Sequence, residues 1–77
     1  MFILHVTVRG QVVEPTEHKS FTDMGDALAQ VLSDADMGLK PRVLSVLLAL
    51  MFSDLRTRQS WRWIGEDYEI YVARDGP

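Results

Sequence analysis

Phe2-Ile3-Leu4-His5-Val6-Thr7-Val8-Arg9 is the stretch from which the fold is read. Phe2, Leu4, Val6 and Val8 alternate with Ile3, His5, Thr7 and Arg9. A period of two with frequent β-branched side chains is the pattern of a strand, its even face inward and its odd face turning polar toward the end. Arg9-Gly10-Gln11 permits a turn, and Gln11–Glu14 pairs back as a short second strand. Pro15 confines that strand to an edge, because proline donates no ladder hydrogen bond. Glu14–Ser20 is polar and reads as a loop.

Two helical patterns follow. Met24, Ala27, Leu28, Val31 and Leu32 fall at i, i+3, i+4, i+7 and i+8, one apolar face of a helix. Thr22 or Ser20 supplies the N-cap oxygen, and Asp23 and Asp26 sit near the positive end of the helix dipole. Gly25 weakens this helix by about 1 kcal/mol relative to alanine. The helix ends near Ser33, with Gly38 as a stop. A second helix begins near Lys40-Pro41, proline being suited to a first helical turn. Its Val43, Leu44, Val46, Leu47, Leu48, Leu50, Met51, Phe52 and Leu55 exceed what one face holds, and Ser45, Ala49 and Ser53 form the remaining stripe. A helix apolar nearly all round is buried on several sides. It is either sandwiched between sheet and first helix or packed on another chain. A buried strand over Val43–Leu50 competes, but length, Pro41 and the Leu/Met/Ala content favour helix.

Farther on, Trp61-Arg62-Trp63-Ile64 and Tyr68–Ala73 are alternating runs joined by Gly65-Glu66-Asp67, a hairpin with a short glycine-bearing loop. Tyr68, Ile70 and Val72 share one face; Glu69, Tyr71 and Ala73 share the other. The order β-(β)-α-α-β-β makes the fold class α+β: a small mixed or antiparallel sheet with two helices packed on one face. The uncovered face is half polar and suited to binding.

The 77 residues suffice for one domain, residues 1–77. A chain this short buries only about 60% of its surface, and small folds compensate with disulfides, a metal or a second subunit. Cysteine is absent, so disulfides and thiolate chemistry are excluded and self-association through the second helix gains weight. With 47% hydrophobic and 25% charged residues, wholesale disorder is not expected. A net charge of −3 argues mildly against nucleic acid or an anionic membrane as the main partner. No signal-peptide pattern is present, and the longest apolar run, Val43–Phe52, is half of the roughly 20 residues a membrane span needs. The expected setting is a reducing cytoplasm, without a membrane partner.

Catalytic and metal motifs find little support. Asp34-Ala35-Asp36-Met37-Gly38 resembles the opening of a calcium loop, but the glycine falls at position five and position twelve is Ser45, so a solvated helix end is expected. His5 lies on the outward strand face and His18 in a loop, neither in a ligand spacing. Glu66, Asp67 and Glu69 cluster at a turn, where no cleft shifts one carboxylate against another. The dispersed glycines form no phosphate-binding loop, so no cofactor is expected. A winged helix-turn-helix is disfavoured because the would-be recognition helix, Pro41–Leu55, is apolar where base-reading side chains should project.

Two groups of residues suggest contact surfaces. Asp23, Asp26, Asp34 and Asp36 form an acidic run without a base, a match for a basic surface. Arg56, Arg58 and Arg62 flank Trp61 and Trp63, with Tyr71 as an extension. Basic and aromatic residues interleaved on strands serve single-stranded nucleic acid, protein hot spots or simple sheet packing. The reading is a small acidic protein-binding module and not an enzyme. By analogy alone it fits a phage- or mobile-element-type regulator or inhibitor that occludes a larger protein partner. The contact residues are Asp23, Asp26, Asp34, Asp36, Arg58, Trp61, Arg62 and Tyr71. Nucleic-acid binding through the Trp/Arg hairpin is the alternative.

Overall fold

The computed structural model describes residues 1–36 and 39–75. Strands β1 (Phe2–Val8) and β2 (Gln11–His18) precede helices α1 (Phe21–Asp34) and α2 (Pro41–Leu55), and strands β3 (Ser60–Ile64) and β4 (Tyr68–Arg74) follow. The strands form one antiparallel sheet in the order β2-β1-β4-β3, and the fold class is α+β. The expected stop at Gly38 and the end of the Asp34–Gly38 segment lie outside the described residues.

The first alternating run behaves as its period dictates. Leu4, Val6 and Val8 are buried, and Ile3, His5 and Thr7 face the other side of the sheet. The hairpin to β2 turns on Arg9 and Gly10, with φ of 50° and 79°. Paired positive φ values make a two-residue turn whose twist matches that of the strands, and glycine adopts such a backbone without a Cβ penalty. Arg9 carries the less favourable half. Its Nη1 donates to the Ala35 carbonyl at 3.2 Å, placing a cation at the negative end of α1.

β2 is longer than its sequence suggests. It runs through Pro15 to His18, where a loop from Glu14 is expected. The register slips between Leu4↔Thr16 and Val6↔Val13, so β2 carries one extra residue where it passes His5. A bulge on an edge strand accommodates a proline, because the missing donor falls where the ladder is already interrupted. It also switches parity: Val13 lies on the inner face before it, Thr16 and His18 after it.

Both helices lie on the even face of β1. Ser20 caps α1, its Oγ accepting from the Asp23 backbone N–H at 3.1 Å. α1 packs on β1 and β2 and α2 on β3, so the helices follow the lateral order of the sheet. The core joins Met24, Leu28 and Leu32 of α1, Leu47, Met51 and Leu55 of α2, and Leu4, Val6, Val8, Trp61, Ile70 and Val72 of the sheet. The helices meet where Leu48 faces Gly25 and where the Phe21 and Phe52 rings contact edge-on, centroids 5.2 Å apart. Among the described residues no helix is long and apolar enough to cross a membrane.

Candidate functional site

The hairpin residues separate by parity. Trp61 and Trp63 point to the helix side, while Arg62 and its cross-strand neighbour Tyr71 lie on the open face. Trp61 is buried, 7% exposed, and belongs to the core, so its ring offers no partner contact. Trp63 stacks on it at 6.3 Å and 10° and keeps 37% of its surface exposed. The basic and aromatic residues thus do not form one stacking platform.

On the open face Arg62 lies over the Tyr71 ring, 5.2 Å from its centroid, and its Nε is 3.1 Å from Glu69 Oε1. His5 meets Tyr71 edge-on at 5.5 Å. With Thr7 and Val12 these side chains rim a shallow hollow of about 270 Å³. Glu69 offsets the Arg62 charge locally, which lowers its value to a phosphate. At the turn end, Glu66 and Asp67 are exposed, and the Arg9 N–H donates to the Asp67 carbonyl at 2.8 Å, tying the two hairpins together. A second hollow, about 80 Å³ between Phe2, Phe21 and Phe52, takes nothing larger than a side chain.

The acidic group is placed elsewhere. Asp23, Asp26 and Asp34 fall at i, i+3 and i+11, on one exposed face of α1, with Gln30 between them donating to Asp34 at 2.7 Å. Asp36 follows the helix at φ 58° and is exposed. This face belongs to the helical layer, whereas Arg62 and Tyr71 lie across the sheet from it. Arg58 is exposed in the 56–59 connection. The acidic and hairpin groups therefore do not make one footprint.

The residues that do converge belong to the second helix, whose apolar excess the sequence shows without saying which side chains stay uncovered. α2 buries Leu47, Met51 and Leu55 on the sheet and turns Leu48 and Phe52 toward α1. Val43, Val46 and Leu50, at i, i+3 and i+7, occupy the opposite flank and are 45, 55 and 49% exposed. Because α1 lies toward β2, that flank faces the β3 side of the molecule. Ser45, Ala49 and Ser53 are also exposed.

Among the described residues β3 itself is a free edge. The Gly65 N–H bonds to the Tyr68 carbonyl at 2.8 Å and the Arg74 N–H to the Gln59 carbonyl at 2.7 Å. Antiparallel ladders alternate, so residues 59, 61, 63 and 65 spend their backbone groups on β4. Ser60, Arg62 and Ile64 therefore aim N–H and C=O outward. The edge is continuous in register and free of proline, and Ile64 at its end is 71% exposed. The opposite edge, β2, carries the devices that discourage strand pairing: a bulge, Pro15 and exposed Glu14 and Glu17. The apolar excess of α2 was the available signal, but a helical wheel rich in leucine on every side does not say which flank stays uncovered.

Comparison of the chain with protein-family models, with curated proteins and with solved structures finds no match.

Proposed function

We propose that this chain is a protein-binding module that docks a polypeptide along the free side of β3 and the adjoining flank of α2. The observation that carries the reading is the contrast between the two sheet edges. β2 is bulged, proline-bearing and acidic; β3 is regular and bordered by Trp63, Ile64 and the Val43/Val46/Leu50 flank. An added strand satisfies the outward N–H and C=O groups of Ser60, Arg62 and Ile64, and the apolar flank supplies contact area. The net charge of −3 and the Arg62–Glu69 pair favour protein over nucleic acid as the ligand.

The acidic face of α1 supports a second contact. Docking at β3 leaves Asp23, Asp26, Asp34 and Asp36 free for a basic surface on a larger partner. A regulator or inhibitor that works by occlusion would use this face, and its affinity would fall with added salt.

The test expresses a tagged chain beside an untagged copy in source cells and identifies retained polypeptides after nuclease treatment. A stoichiometric polypeptide is expected to survive nuclease and to be lost with Ile64→Pro and with Leu50→Lys. Both substitutions fall at exposed positions, and proline at 64 removes an N–H that no strand among the described residues uses. Recovery indifferent to both variants, or lost on nuclease treatment, would sink the reading.

A further inference from the structure

We infer that the polypeptide at this docking surface is a second copy of the chain, paired antiparallel through β3 about a two-fold axis at Trp63. The inference rests on the docking surface proposed above and names its occupant.

Three features make the surface complementary to itself. The first is the ladder. Trp63 directs its backbone groups at β4, so two copies of it face each other as a non-hydrogen-bonded pair, the closer of the two antiparallel geometries. Arg62 and Ile64 flank it with outward groups, and each bonds reciprocally to the other residue in the second copy. A register centred one residue earlier sets Arg62 against Arg62, and like charges directly opposed are unfavourable.

The second is charge. In the Trp63-centred register Ser60 reaches Glu66 of the second copy. Gln59 then comes level with Asp67 of that copy and exposed Arg58 follows one position on, its long side chain directed along the edge at the acidic turn Glu66-Asp67, and the two-fold axis repeats the match. The chain runs from exposed base to exposed acid across one strand, which antiparallel pairing with itself converts into complementarity.

The third is area. The Trp63 indoles meet on the helix side of the joined sheet, where the α2 flanks of both copies also lie. Val43, Val46, Leu50 and Trp63, between 37 and 55% exposed, lie on that side, and Ile64, 71% exposed, adds to the contact from the open face; together they offer several hundred Å² per copy. With Arg58 and the edge backbone added, that is of the order of the ~800 Å² per partner found in stable interfaces.

The chain has no cysteine, so a single introduced thiol reports the register directly. The native chain is expected to show a dimer mass by light scattering at micromolar to millimolar concentration. Leu50→Lys and Ile64→Pro should each weaken the dimer about ten-fold or more while leaving the circular dichroism of the folded chain unchanged. On mild oxidation Trp63→Cys should cross-link to a covalent dimer, and Arg62→Cys should not. A monomer mass throughout, or cross-linking at Arg62→Cys in place of Trp63→Cys, would overturn the inference. A monomer that still loses a nuclease-resistant partner with Leu50→Lys overturns the second copy alone. A dimer indifferent to Leu50→Lys and Ile64→Pro overturns the docking surface with it.

Discussion

Two glycines show how differently one missing methyl group acts. Gly25 sits inside α1, where a Cβ would meet Leu48 Cδ1 at 3.4 Å, an ordinary contact. Its backbone is already helical, so Gly25→Ala should raise stability by about 0.5–1 kcal/mol, read as a higher urea midpoint at unchanged slope. Gly65 lies at the start of the β3–β4 turn, and a Cβ there would run into the Tyr68 ring. That ring packs against the core and accounts for the close approach. Gly65→Ala should lower stability by about 1–3 kcal/mol in the same measurement, because the ring must leave its place.

At the scale of elements, β3 separates two tryptophans that the sequence presents as equivalents. Trp61 is a core residue and Trp63 a half-covered neighbour stacked on it. Trp61→Ala should cost about 3–5 kcal/mol in the unfolding of the isolated chain, as for a large buried aromatic. Trp63→Ala should cost the isolated chain far less and should chiefly weaken association, so unfolding and mass measurements together tell the two apart. The distinction was not legible because both residues share strand parity and differ only in distance along the strand. The alternation of β1, the i, i+3, i+4 pattern of α1, the start of α2 at Pro41 and the C-terminal hairpin were all legible, since each is fixed by local period or local turn chemistry. The extent of β2 was hidden by Pro15, which marks an interruption of pairing but not its resumption beyond a bulge. The uncovered flank of α2 was hidden because Val43, Val46 and Leu50 are as apolar as the buried Leu47 and Met51. Only the position of α2 over β3, at the far side from α1, decides which of them meets solvent. Composition alone makes Trp61 a contact residue, and the pleat assigns it to the core.

Over the whole molecule, a chain of 77 residues without disulfides has little surface to bury in folding alone. The proposed association would couple folding to assembly and make the chain's stability depend on concentration. The midpoint of thermal unfolding should therefore rise with protein concentration for the native chain and stay fixed for Leu50→Lys, a comparison calorimetry makes directly. A midpoint independent of concentration in both would deny that coupling. The asymmetry between the sheet edges also sets where growth stops. In the language of polymer chemistry the proposed pairing makes each chain a monofunctional monomer: among the described residues β3 is the reactive end, and Pro15 with its bulge caps the other. Joining two such ends consumes both, and the β2 edges left at the extremities of the joined sheet do not propagate it. The same strand pairing with an uncapped β2 would be the repeating step of a filament. On the proposed pairing, one proline and one extra residue hold the degree of polymerisation at two.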